Sequence, residues 1–194
     1  MTALYREVRN LTDGTLLAIC RVADNAFIPL VDGNKDYVDY MAWVAAGNIV
    51  DADPNYTPEL IKSRKWNEIK EQRDNRKESG VKVGTLWYHT DDTSRIQWLA
   101  LKDTARDNIA AGGAMTDVIK MLNNNLQWKT MSGDFTPVTN QLAFDVVQAT
   151  KNMDAVLFGL AEQKRAEVNA STDPLSYVTN TGWPQTFAEA TATA

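Results

Sequence analysis

Along the first third of the chain, apolar and polar positions change period several times, and each change marks an element. Residues 4–9 and 16–21 read as two strands around the turn Thr12-Asp13-Gly14-Thr15. Phe27-Ile28-Pro29-Leu30 reads as extended, with Pro29 suited to an edge or a strand end. After the turn Asp32-Gly33-Asn34, the residues Tyr37, Tyr40, Met41 and Val44 recur at i, i+3, i+4 and i+7. That spacing predicts an amphipathic helix over 36–46, closed by Gly47-Asn48. The run from Asp51 to Pro58 is dense in turn formers and reads as a linker. It sets the expected domain boundary, with one module over 1–56 and a second over 57–194.

Thr57-Pro58-Glu59 supplies a hydroxyl N-cap, proline at N1 and an acid in the first turn of the next helix. This helix passes Trp66 and Ile69 and stops at Gly80. Its apolar stripe continues at Arg73 and Arg76, whose stems can lie along a core while their guanidinium groups find carboxylates. Residues 81–89 read as a strand pair turning near Gly84. Asp91 or Asp92 then caps a helix carrying Ile96, Trp98, Leu99, Leu101, Ala105 and Ile109, which ends at Gly112-Gly113. Residues 128–135 read as a second hairpin, and Thr136-Pro137 as the start of the longest helix, to about Val168.

In that helix Leu142, Val146, Ala149, Met153, Val156 and Leu160 follow a 4,3,4,3,4 spacing, a seam that fits another helix. Phe144, Val147, Leu157 and Phe158 add a second apolar face. The stretch Tyr177–Pro184 reads as irregular, with Trp183 as a docking anchor, and a tail such as AEATATA frays unless something pins it. The fold expected from these elements is α+β and mainly helical. A small N-terminal strand/helix module precedes a helical module with two short β-hairpins and one long C-terminal helix.

Composition narrows the picture. With 194 residues there is room for one ordinary domain or two small ones, and 44% hydrophobic content with six tryptophans argues against disorder. A net charge of −5 argues against a nucleic-acid partner, which needs a basic field. No apolar run approaches the ~20 residues a membrane span requires. The start MTALYREVRN lacks the basic-then-apolar order of a signal peptide, so the chain is expected to be made and used without Sec-type export. Cys20 cannot form an internal disulfide alone, and within the apolar run 16–20 it is expected to be a buried small hydrophobe. Seven acids and one base lie between Val22 and Glu59, and seven bases and three acids between Ile61 and Lys77. The blocks can face each other, but a solvated helix face laced with local pairs explains the second more simply.

Tests for chemistry return little. The single imidazole, His89, precedes Asp91-Asp92, and a His near two acids can act as a base or bind a metal. Without a second His or clustered Cys, a polar residue closing a strand before a helix cap is the better account. Asp32-Gly-Asn34-Lys-Asp36 and Asp51-Ala-Asp53-Pro-Asn55 both begin like calcium loops. Both then fail, with Tyr37 or Tyr56 at the glycine position and Trp43 or Lys62 at the glutamate position. Gly112-Gly113 ends a helix and no Gly-Lys-Ser/Thr follows, so there is no P-loop. No catalytic set, metal site or cofactor is expected. The remaining candidates are protein-interface residues: Tyr37, Tyr40 and Trp43 on the first helix, and Val146, Met153 and Leu160 on the long one. Trp43 lies off the main stripe and suits an interface anchor, as does Trp98.

The order of these pieces resembles an uncharacterised domain family that recurs in tail, tail-fibre and tail-fibre-assembly proteins of tailed bacteriophages. The residues that carry the resemblance run Trp66-x-x-Ile69-Lys70-x-x-Arg73-Asp74, Gly80-Val81-x-Val83, Trp87-Tyr88-His89-Thr90-Asp91, Ser94-Arg95, and Trp128-Lys129 through Gly133, Phe135 and Pro137-Val138-Thr139. Ala26-Phe27-Ile28-Pro29, with Asn34-x-Asp36-Tyr37-x-x-Tyr40-x-x-Trp43 and Gly47-Asn48, resembles the segment that often precedes it in phage proteins. The resemblance implies a non-enzymatic structural component of the virion, made in the host cytoplasm and placed in the tail. On that reading 1–56 is an attachment module, the partners are other tail proteins, and the chain is a homo-oligomer whose helix contact is the 142–160 seam. Two other roles stay open beside it: an assembly chaperone for a tail fibre, and a module that binds a host receptor or glycan through exposed aromatics such as Trp98 or Trp183.

Overall fold

The N-terminal alternation produces a meander. In the computed structural model, which describes residues 4–192, strands β1 (Tyr5–Arg9), β2 (Leu16–Arg21) and β3 (Ala26–Pro29) pair antiparallel in the order β1-β2-β3. Asp13 ties the β1–β2 turn by accepting from the backbone N–H of Thr15 at 2.9 Å and its hydroxyl at 2.8 Å. Pro29, which has no N–H to donate, ends β3 at the sheet edge, opposite Ala18. Tyr5, Ile19 and Ile28 lie on one face of the sheet and pack with Tyr40 of helix α1 (Lys35–Ala45). Ile19 and Ile28 are fully buried, each contributing roughly 2–3 kcal/mol by the usual area scale. Cys20 is fully buried, as the apolar run predicts.

The segment after α1 returns to this sheet. Glu7 donates to the Asp51 carbonyl at 2.8 Å and Asp51 to the Tyr5 carbonyl at 3.0 Å, a parallel bridge on the free edge of β1. The buried Asp53 carboxylate accepts from the backbone N–H groups of Arg9 and Asn55, both at 2.8 Å. Within the two calcium-like patterns Asp53 thus ties a turn, Asp36 pairs with Arg21, and Asn34 caps α1 through Tyr37 N–H at 3.1 Å. The described residues divide into two compact units. One holds the chain up to Asn67 together with Glu167–Val178; the other holds Glu68–Ala166 and the chain from Thr179 onward. The linker expected to part the chain at 56/57 lies inside the first unit, where Asp51 and Asp53 bind it to the sheet. The outermost residues of the two expected modules, 1–3 and 193–194, lie outside the described residues.

Helix α2 (Pro58–Glu78) starts in the first unit, where Leu60 N–H donates to the Thr57 hydroxyl at 3.3 Å. The second unit adds hairpin β4 (Val81–Val83) with β5 (Leu86–Tyr88), then helix α3 (Asp92–Ala110). Asp91 is the N-cap of α3, accepting from the backbone N–H of Ser94 at 3.0 Å. Beyond α3 the structure differs from expectation twice. A further hairpin, β6 (Lys120–Met121) with β7 (Asn124–Asn125), precedes the expected one, β8 (Gln127–Lys129) with β9 (Phe135–Pro137), so the unit has three hairpins where two were expected. The long helix α4 (Asn140–Ala170) starts at Asn140 and not at Thr136, because Phe135-Thr136-Pro137 pairs with β8. Thr139 supplies its cap, accepting from Leu142 N–H at 3.1 Å. A last short helix, α5 (Phe187–Ala192), follows. The mainly helical α+β class stands, with five helices and small antiparallel sheets among the described residues.

The core of the second unit gathers Val81, Tyr88, Trp98, Ala105, Ile119, Val138, Ala143, Val146 and Val147. Trp98 sits edge-on to Tyr88, with centroids 5.6 Å apart, and lies 4.2 Å from Trp128. Among the described residues, no helix is long and apolar enough to cross a membrane.

Candidate interaction surfaces

On α1 the aromatic residues face inward. Tyr40 is buried, edge-on to Tyr5 at 5.3 Å and stacked with Tyr37 at 6.0 Å, while Trp43 meets Tyr5 at 5.1 Å. Burial, then the nearby Glu7 and Tyr37, pushes the Tyr40 phenol above its ordinary range. Tyr37 and Trp43 are half-buried against the same core. Aromatics at this spacing are spent on the sheet, and the opposite face is what α1 leaves in water. There Val38, Met41, Ala42 and Ala45 stand exposed at i, i+3, i+4 and i+7, Val38 and Met41 at 53% and 49%. This apolar stripe is the best-formed candidate surface of the first unit.

The expected seam on α4 is also turned. Val146 is fully buried in the protomer's own core, which occupies it there, and Leu142 and Ala149 pack against the same cluster. Met153 and Leu160 are half-buried, and Val156 is the one exposed member of the six. The stripe that α4 buries runs one position on, through Ala143, Val147, Leu157, Ala161 and Lys164, with Thr150 and Asp154 half-buried between. Asp154 belongs to it because Arg95 of α3 grips both of its oxygens, at 2.7 and 3.0 Å. Phe158 is exposed beside the seam, under the guanidinium of Arg73 at 4.5 Å. On α3 the order is reversed from expectation in the same way: Trp98 is in the core at 3% exposure, while Ile96 and Leu99 face water. Trp183 is half-buried, its indole N–H donating to the Thr179 carbonyl at 2.8 Å with Lys164 over the ring, consistent with its anchor role.

The bases of α2 divide between local and distant partners: Arg73 pairs locally, while Arg76 reaches Glu189 and Lys62 the Asn169 carbonyl. Arg73, nearly buried, bonds Asp74 through two nitrogens at 2.8 and 2.9 Å, and Lys77 and Lys70 stand near the same carboxylate. Hydrogen bonding by Arg73 holds the Asp74 carboxyl below its ordinary range. In the first unit Arg21 takes Asp24 and Asp36, and Lys35 takes Asp39.

His89 is half-buried in a shallow depression with Ser94, Gln97 and Trp128. Its neighbour Asp91 is committed elsewhere: the Ser94 hydroxyl at 2.6 Å, then the Ser94 backbone N–H, hold its carboxyl below the ordinary range. Among the described residues, no three of His, Cys, Asp and Glu converge as a metal site would need. A depression of about 630 Å³ between α3 and α4 has no counterpart in the sequence reading. It is lined by Asn108, Gly113, Asp117, Lys120, Asn125 and Asn140. Asn140, fully buried, accepts from Asn108 at 3.1 Å and donates to the Ala114 carbonyl at 2.8 Å, while Asp117 accepts from Ala114 N–H at 2.8 Å. These side chains brace the corner between α3 and α4; their one sequence signal is Asn140 directly after a capping threonine.

The fold and its surfaces define a two-unit, mainly helical α+β protein whose prominent unpaired features are apolar helix faces. The chain belongs to the family described as Domain of unknown function (DUF4376), which matches residues 61–179. No curated protein and no solved structure matches it.

Proposed function

We propose that the protein is a structural component of a bacteriophage virion, in the tail fibre, baseplate or tail-tip region, working through protein–protein contacts and not through catalysis. The observation that carries this reading is the exposed apolar stripe Val38, Met41, Ala42 and Ala45 on a helix whose aromatic face is already spent. An ordered apolar face left in water is what an attachment module presents to a partner. The order of motifs from Trp66 to Thr139 adds the phage context by resemblance. Its partners are then other tail proteins and further copies of itself, and its place is the virion, after synthesis in the host cytoplasm.

Mass spectrometry of purified virions tests the reading: the chain should be present in every preparation. Its absence from the particle would overturn the structural role. If co-expression then raised the solubility of a tail fibre, an assembly chaperone would take its place.

A further inference from the structure

Isolated helices shorter than about 12–15 residues are marginal in water. The six residues of α5 form nonetheless, and their contacts say why. Thr186 and Glu189 make a reciprocal capping box: the Glu189 carboxylate accepts from Thr186 N–H at 2.8 Å, and the Thr186 hydroxyl accepts from Glu189 N–H at 3.2 Å. The same carboxylate receives both terminal nitrogens of Arg76, each at 2.9 Å. Arg76 also donates to the Pro184 carbonyl at 2.7 Å. Phe187 N–H donates to the Ser79 carbonyl at 3.3 Å, and its ring meets Trp87 edge-on with centroids 6.0 Å apart.

The receiving side is carried on regular elements of the second unit. Arg76 and Ser79 sit at the end of α2, and Trp87 stands in the β4–β5 ladder opposite Lys82; with the segment in place the Arg76 side chain is 10% exposed. Arg76, Ser79 and Trp87 fall inside the family match, which ends at residue 179; the segment that fills them falls outside it.

We propose that Arg76, Ser79 and Trp87 form a docking site for a short acidic helical segment carrying an aromatic side chain two residues before a carboxylate. The chain's own residues 183–192 fill the site in cis, and the same segment of a second copy fills it in trans. Charge complementarity sets the preference, because the guanidinium fork donates two parallel bonds to a planar carboxylate. Trp87 selects the aromatic ring, and the Ser79 carbonyl fixes the backbone direction. A tethered segment competes at an effective concentration on the order of millimolar, so exchange between copies is rare until they are held side by side. These contacts lie within the second unit and are independent of the virion assignment.

The test uses full-length protein. A chain carrying Phe187→Ala and Glu189→Gln, which loosens its own segment, is titrated with a fluorescein-labelled peptide of sequence 179–192 and followed by anisotropy. The expected result is saturable binding by the double variant, at least tenfold weaker binding by the wild type, and at least a tenfold loss when Arg76→Gln is added. Far-UV circular dichroism checks that the variant is folded. A second measurement needs no variant: excess peptide should speed hydrogen exchange at the Phe187 amide of the wild-type chain. A folded double variant without saturable binding, binding indifferent to Arg76, or an unchanged Phe187 exchange rate would each overturn the proposal.

Discussion

Arg95 shows how much one side chain can organise. Its guanidinium donates to the Thr90 carbonyl at 2.6 Å, the Lys77 carbonyl at 2.8 Å and both oxygens of Asp154. That ties the end of α2, the approach to α3 and the middle of α4 within one unit. Lysine has the charge but not the fork, and cannot make all four of these bonds at once. The Lys77 carbonyl keeps the Thr90 hydroxyl at 2.7 Å, so the loss falls on the Thr90 carbonyl and Asp154. Arg95→Lys should therefore lower the unfolding free energy by about 1–3 kcal/mol in urea titrations, and an unchanged midpoint would refute this account. Two glycines allow backbone and packing effects to be separated. Gly47 (φ +87°) and Gly80 (φ +94°) share the left-handed conformation, but a Cβ on Gly47 would meet nothing, whereas one on Gly80 would collide with the Met131 sulfur. Gly47→Ala should cost about 1–2 kcal/mol. Gly80→Ala should cost that plus a further 1–3 kcal/mol of roughly estimated overpacking. Equal midpoints would mean that Met131 moves aside freely.

Two helix starts were legible because their chemistry is local. Thr57 and Asp91 each cap the helix that follows, and the side-chain bonds are in place. What resisted reading depended on partners distant in sequence. Pro137 has the features of a helix N1 residue, yet the three residues it closes pair with β8. The α4 seam offered two apolar registers one position apart, and contacts such as Arg95 with Asp154 choose between them. The β6–β7 turn carries little local signal because Leu122 and Asn123 both take positive φ, at +49° and +65°, where glycine is the usual signal.

At the C-terminal end the readable signal was Trp183, while the Thr186/Glu189 cap went unnoticed. That cap gives α5 a defined pH response. Hydrogen bonding from Arg76, then from Thr186 N–H, holds the Glu189 carboxyl at about 2, against an ordinary value of 4.5. A carboxyl depressed in the folded state adds stability that is complete above its unfolded value. That contribution is lost as pH falls through the folded one. The α5 contacts should weaken between about pH 4.5 and about 2, seen as a shift of the Phe187 amide resonance. Glu189→Gln should remove that transition; its persistence would assign it to another group.

For the whole molecule, the question is which surface remains after each unit has satisfied itself. The helical stripe of Tyr37, Tyr40 and Trp43 located α1 correctly in sequence. Their role turned on how the predicted strands pack against the helix, a contact between residues distant in sequence: Tyr5, Ile19 and Ile28 supply the face against which the aromatics pack. Val38 and Met41 are left outside by the same geometry. Core and surface then predict opposite phenotypes on one helix. Trp43→Ala removes a ring from the Tyr5 contact and should cost about 2–4 kcal/mol of stability. Val38→Lys with Met41→Lys changes exposed positions and should shift stability by less than about 1 kcal/mol in total. If the stripe is the attachment surface, that same pair should lower incorporation into virions at least tenfold, measured by quantitative mass spectrometry of particles grown on a complemented deletion. Normal incorporation of the double lysine variant would remove α1 from the assembly and leave contact to the second unit.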